Sequence, residues 1–171
     1  LLSETYLRNR ITECFGEIKD EFDSDVVISR LKLHYGMGID GLTNTFAAAL
    51  WGLDFLMEWY AMKGYQAYID LNPIPTDFQS PLVSDNNFAG SVPAKVNPLY
   101  YSMLSVSVMI GGRYTTTNKV FFSRKPTANI KIYYWAAAYS DEKKVLIINK
   151  DLDPTLSGKV AICNGGNRRA K

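Results

Sequence analysis

The chain has 171 residues, and with 47% apolar and 13% aromatic side chains it can bury the core of one globular domain. Its 19 Lys and Arg nearly balance 17 Asp and Glu, and a net charge of +2 is too small for the positive field that non-specific nucleic-acid binding requires. The best candidate for a membrane span, 46–62, contains Asp54 and Glu58, so we expect no span.

The cysteines bear on metal and disulfide chemistry, and the first residues bear on where the polypeptide begins. Cys14 and Cys163 belong to no CxxC or Cys/His ligand pattern, so we expect no metal site, and a disulfide between them stays an open alternative. The chain begins at Leu1 without Met and without the basic-then-apolar order of a signal peptide. We therefore expect residue 1 to lie inside a longer polypeptide.

The first predicted element is an amphipathic helix over 3–22. Its apolar positions recur at intervals of three and four residues: Leu7, Ile11, Cys14, Phe15 and Ile18. A strand rich in β-branched residues is predicted over 26–33. Three glycines then make 34–41, which we call the glycine loop, able to follow a tight backbone path.

The clearest predicted helix follows the glycine loop, with Thr43 or Asn44 as its N-cap and Gly64 at its end. A short strand over 66–71 and a long loop rich in Pro, Asn and Ser over 72–96 come next. Asn97 and Pro98 are typical of the start of a further helix. After this helix the apolar residues recur at every second position, which predicts strands at 119–123, 129–138, 143–149 and 159–163. This order predicts an α/β part with parallel strands, followed by an all-β part that forms an antiparallel sheet or sandwich.

Catalytic and cofactor patterns are sparse. His34 is the only histidine and no GxSxG motif is present, which argues against a Ser/His/Asp triad, and no glycine-rich phosphate motif follows a strand, so we expect no cofactor. Asp54 and Glu58 lie one helical turn apart, and we interpret them as a solvated or salt-bridged edge of the helix in preference to a catalytic pair. Asp70 ends a predicted strand and is the single weak catalytic candidate.

Basic residues gather at the end of the first predicted strand. Strict alternation places Arg30, Lys32 and His34 on one face of it. The pattern is typical either of a solvated face near a strand end or of an edge that binds an anion such as a carboxylate or sulfate.

Four segments carry a family resemblance: YGMG at 35–38, GLTNTFAAALWGLD at 41–54, VNPLYYSML at 96–104 and VLIINKD at 145–151. In this order they resemble the heparanase and β-glucuronidase family of retaining glycoside hydrolases. The resemblance implies the C-terminal portion of a (β/α)8 barrel over 1–112 and an appended antiparallel β-sandwich over 113–163. The polar and basic composition of 164–171 predicts a flexible tail. The missing barrel strands would come from the same longer chain or from a partner chain.

The resemblance also implies which site residues are kept and which are lost. The family's nucleophilic glutamate corresponds to Arg30, and 29–35 contains no Asp or Glu that could replace it. The acid/base glutamate of the family lies on a strand that would precede Leu1. Tyr35, Gly36 and Met37 correspond to the residues that hold the carboxylate of a uronic acid, although Met37 stands where the family has glycine.

Three functional hypotheses follow. The first is a non-hydrolytic, extracellular relative of these enzymes with a carbohydrate-associated or structural role, in which an anionic carbohydrate contacts Tyr35, Gly36, Met37, Arg30, Lys32 and His34. The second is the C-terminal part of an active glycosidase that acts on uronic-acid glycosides, with Asp70 as the only local acid to test. The third is a self-assembling extracellular structural subunit, which forms homo-oligomers.

Overall fold

The computed structural model describes residues 9–16, 18, 21, 26–61, 66–70, 76–83, 95–110, 132–138 and 143–150. The helices are a π-helical turn at Thr12–Gly16, α1 at Phe46–Ala61 and α2 at Pro98–Ile110. The strands are β1 at Val27–Leu31, β2 at Gln66–Ile69, β3 at Leu82–Val83, β4 at Lys95–Val96, β5 at Ile132–Ala138 and β6 at Lys143–Asn149.

Strands β1 and β2 form a parallel pair, and α1 lies between them in the chain. Val27 pairs with Gln66 and Ile28 with Ala67, and a register shift separates these pairs from the pairing of Leu31 with Ile69. Together β1, α1 and β2 make one βαβ unit, because parallel neighbours need a long crossover such as a helix. The described residues contain this one parallel pair, and the (β/α)8 barrel stays a prediction.

The N-cap of helix α1 lies one residue after the predicted Asn44 and two after the predicted Thr43. Thr45 is the N-cap, since its carbonyl oxygen accepts the first helical hydrogen bond from the Ala49 N–H at 3.3 Å. The prediction of Thr43 or Asn44 as the cap is wrong, because both side chains bind the glycine loop instead. The Thr43 hydroxyl contacts the backbone of Ile39, and Asn44 Oδ1 accepts from the Gly41 N–H at 2.8 Å.

The core lies where α1 meets α2, β1 and the β5–β6 hairpin. Its largest fully buried side chains include Trp59, Trp135, Ile11, Met57 and Ile148. Helix α2 packs so closely on α1 that a Cβ added to Gly52 would lie 2.4 Å from Leu99 Cδ1. The Ser102 hydroxyl donates to the Ala49 carbonyl across the same contact. Glycine at position 52 therefore allows the two helices to approach each other.

The N-terminal segment follows its predicted apolar stripe in part. Ile11 is buried, and the Phe15 ring meets the Trp59 ring edge-on with centroids 4.9 Å apart. Cys14 and Ile18 are exposed, so their predicted place on the buried stripe is wrong. The π-helical turn explains the difference, because its wider i→i+5 spacing rotates later side chains away from the positions that an α-helical period assigns to them.

Strands β5 and β6 form an antiparallel pair in continuous register from Ile132 with Asn149 to Ala138 with Lys143. The predicted strand at 143–149 is confirmed at both ends, and the strand predicted over 129–138 is confirmed from Ile132 onward. The strands predicted at 119–123 and 159–163, the tail and Cys163 lie outside the described residues. Two antiparallel strands agree with the expected all-β part, and the β-sandwich stays a prediction.

A buried ion pair joins this hairpin to α1. Lys150 Nζ binds Asp54 Oδ2, the two side chains are 3% and 1% exposed, and Trp135 Nε1–H donates to Asp54 Oδ1 at 3.4 Å. Glu58, one turn further, is also buried. The prediction that Asp54 forms a salt bridge is confirmed. The alternative prediction, that Asp54 and Glu58 lie on a solvated edge of the helix, is wrong because both side chains are buried.

None of the helices in the described part of the chain is long and apolar enough to cross a membrane.

Candidate functional site at the carboxyl ends of β1 and β2

The carboxyl ends of β1 and β2 bring three charged side chains together. Arg30 Nε donates to Asp70 Oδ2 at 2.9 Å, and Lys32 Nζ lies 2.7 Å from the same oxygen. The Asp70 N–H donates to the Leu31 carbonyl at 3.2 Å, which extends the strand pairing by one step and places Asp70 beside the end of β1. The parallel register thus creates the cluster, since parallel strands end at one edge of a sheet.

The two cations control the ionisation of Asp70. The Lys32 ammonium and the Arg30 guanidinium, both hydrogen-bonded to the carboxylate, hold the pKa of Asp70 below its usual value. Two positive charges against one negative charge leave this group of three with a net charge of +1. The Arg30 side chain uses Nε for Asp70 and is 70% exposed, so it stays accessible from solvent. The cluster is therefore suited to bind a further anion in the bidentate manner typical of arginine.

His34 does not belong to this cluster. The predicted alternation of three basic residues along one strand face is wrong, because β1 ends at Leu31 and contains the register shift noted above. Residues 33–35 bend away, and the His34 Nδ1–H donates to the Tyr35 carbonyl at 2.6 Å. The structure brings Arg30 and Lys32 together through Asp70 and leaves His34 on the glycine loop.

The glycine loop lies directly beside the charged cluster. Lys32 Nζ donates to the Gly36 carbonyl at 3.2 Å, so a single ammonium joins the loop to Asp70. Gly36 has φ of +73°, a conformation that favours glycine. The Tyr35 side chain is 96% exposed and projects from this turn, and Met37 is also exposed. An exposed phenol on the loop that Lys32 contacts can add stacking and hydrogen bonding to a bound sugar.

A second segment, the 77–81 turn, supports the glycine loop. Gln79 Oε1 accepts from the His34 N–H at 3.0 Å, and its Nε2 donates to the Gly36 carbonyl. The Phe78 N–H donates to the Met37 carbonyl at 2.9 Å. The sequence analysis missed Gln79, since a neutral residue in a long loop carries no motif. The one available signal was the length of that loop.

The loop and the turn touch at Gly38. Its φ is +80°, and a Cβ there would lie 2.4 Å from Thr43 Oγ1 and 3.2 Å from the Gln79 backbone nitrogen. Only glycine satisfies both the backbone conformation and the available space.

The described donors and acceptors of the site suit contact with an anion. Among the described residues, Asp70 is the carboxylate that contacts Arg30 and Lys32, and these two cations favour its ionised form. In the part of the chain that the structure describes, no three His, Cys, Asp or Glu side chains form a group that could hold a metal ion.

Comparisons with known proteins add no family to this geometry. No protein-family model matches the chain, and no curated protein matches it significantly.

Proposed function

We propose that the chain is a non-hydrolytic, extracellular relative of retaining glycoside hydrolases and that it binds an anionic carbohydrate at the carboxyl ends of β1 and β2. The observation that carries the proposal is the contact of Arg30 and Lys32 with the single carboxylate of Asp70. Arginine stands at the position that the family resemblance assigns to the nucleophile, and a guanidinium cannot attack an anomeric carbon.

Charge determines the class of ligand. The net positive cluster and the exposed side chain of Arg30 favour a carboxylate or sulfate over a neutral sugar. Tyr35 adds an exposed ring on which a sugar face can stack, and Lys32 contacts the carbonyl of the next residue, Gly36. These features support a site that recognises one acidic sugar unit at the protein surface.

Two assays test the proposal. Purified protein is incubated with 4-nitrophenyl β-D-glucuronide, and a glucuronic-acid disaccharide is titrated while NMR signals of Tyr35 and Arg30 are followed. We expect no release of nitrophenol and saturable shifts that a neutral glucose disaccharide does not cause. Release of nitrophenol that disappears in Asp70→Asn would instead establish the active glycosidase.

A self-assembling subunit is the second candidate, favoured by one face of α2. The helix contains no charged residue, and Tyr101, Leu104 and Val108 are 57%, 48% and 61% exposed at helical spacing. This apolar stripe has no charge with which to attract a differently charged protein. We therefore expect it to pack against the same stripe of a second copy of the chain. Sedimentation at increasing concentration should then show oligomers that Val108→Lys abolishes, and a strictly monomeric species would exclude this candidate.

A further inference from the structure

We infer that Gln79 is the positioning residue of the proposed site, because it fixes the glycine loop through both ends of its side-chain amide. The inference rests on the proposed function and adds the residue that presents Tyr35 to the ligand. It assigns a binding task to the 77–81 turn, a segment that contributes no charge to the Arg30, Lys32 and Asp70 cluster.

The hydrogen bonds of Gln79 determine the orientation of its amide. The His34 N–H can only donate, so it requires Oε1, and the Gly36 carbonyl can only accept, so it requires Nε2. The two contacts lie on either side of Tyr35. One side chain therefore spans the turn from which the exposed ring projects, and Gln79 itself is 3% exposed.

The turn that carries Gln79 is anchored from behind. Asp77 Oδ1 accepts from the Gln79 and Ser80 N–H groups, both at 3.2 Å, which shapes the turn. Asn97, at the start of α2, donates from Nδ2 to the Ser80 carbonyl at 2.8 Å and from its backbone nitrogen to the Pro81 carbonyl at 2.9 Å. Contacts with the start of the packed helix α2, made through the 77–81 turn, thus fix the position of the glycine loop.

A fixed glycine loop favours ligand binding, because a loop with many conformations loses conformational entropy when the ligand binds. Three glycines with positive φ give the free loop many conformations. Gln79 restricts them before binding, which lowers the entropic cost of association. Its absence should weaken binding even though it touches no ligand.

The test compares two Gln79 variants with a matched control. Gln79→Met keeps the side-chain volume and removes both hydrogen bonds, whereas Gln79→Glu keeps an acceptor for the His34 N–H and repels the Gly36 carbonyl. Gln66→Met is the control, because Gln66 is exposed and its side chain accepts from the Tyr68 hydroxyl at 3.0 Å at the opposite end of β2 from Asp70. The readouts are the exchange rate of the His34 amide hydrogen and the affinity for the glucuronic-acid disaccharide.

We expect Gln79→Met to accelerate exchange at His34 and to weaken disaccharide binding about tenfold, the effect of losing one to two net hydrogen bonds. Gln79→Glu should keep the His34 amide protected and still weaken binding, and Gln66→Met should change neither readout. Unchanged affinity in both Gln79 variants would overturn the inference. If the wild-type protein binds no disaccharide, the proposed function fails, and unaltered exchange in Gln79→Met would then overturn the positioning as well.

Discussion

Arg30 Nε lies 2.9 Å from Asp70 Oδ2 at the ends of two parallel strands, and these residues are 40 positions apart in the chain. The ion pair gives Asp70 a different task from the catalytic one that its place at a strand end suggested. Its carboxylate is a built-in counter-ion for the two cations that a negatively charged ligand would contact.

Replacing Asp70 should strengthen anion binding. Asp70→Asn removes the negative charge that competes for Arg30 and Lys32, so the affinity for the glucuronic-acid disaccharide should rise by about tenfold, which corresponds to about 1.4 kcal/mol. Calorimetric titration at low salt measures the change. Asp40→Asn is the control, because it changes the net charge by the same amount. Asp40 lies in the glycine loop and accepts from the Asn44 side chain, not from Arg30 or Lys32. Weaker binding in Asp70→Asn would contradict the counter-ion interpretation.

The stability that Asp70 supplies should depend on pH in one direction. Because Lys32 and Arg30 lower its folded pKa, the stabilisation is present above the unfolded value of about 3.9 and is lost as pH falls through the folded pKa. Denaturant unfolding of wild-type protein and Asp70→Asn should therefore differ most near neutral pH and converge in acid. High salt should reduce the difference, since Arg30 is exposed. A difference that grows in acid would contradict this assignment.

The buried Asp54–Lys150 pair should stabilise the contact between α1 and the β5–β6 hairpin. Lys150→Met leaves the Asp54 carboxylate buried with its cation removed and should lower the free energy of unfolding by about 3–5 kcal/mol. Asp54→Leu combined with Lys150→Met should cost less than the sum of the single changes. Chemical denaturation of the four proteins measures this coupling, and strict additivity would show that the two charges do not depend on each other.

Gly38 should tolerate substitution less well than Gly41. Both have positive φ, but an added Cβ meets Thr43 Oγ1 and the Gln79 backbone only at Gly38, and nothing lies within 4 Å at Gly41. Gly41→Ala should cost about 1–2 kcal/mol for its backbone conformation alone. Gly38→Ala should cost more and also weaken disaccharide binding. Equal unfolding midpoints and equal affinities in the two variants would contradict the close contact between loop and turn.

Local sequence patterns predicted the elements better than the contacts between them. The order β1, α1, β2 and the β5–β6 pair follow from apolar periods of 3.6 and 2, which depend on neighbouring residues. The contact of Gln79 with Gly36 spans 43 positions, and that of Lys150 with Asp54 spans 96. Such pairs depend on how elements pack, and no periodicity encodes them. The same reason explains why the alternation of basic residues did not reveal that Arg30 and Lys32 both bind Asp70.

Calorimetric titration of wild-type protein and Arg30→Gln with the glucuronic-acid disaccharide tests the central claim most directly. Gln keeps polarity and much of the length of the side chain but removes the charge and the guanidinium donors. The account predicts saturable binding by wild-type protein, without cleavage of the disaccharide, and at least a tenfold loss of affinity in Arg30→Gln. Equal affinity in the two proteins, or cleavage of the disaccharide by the wild-type protein, would contradict it.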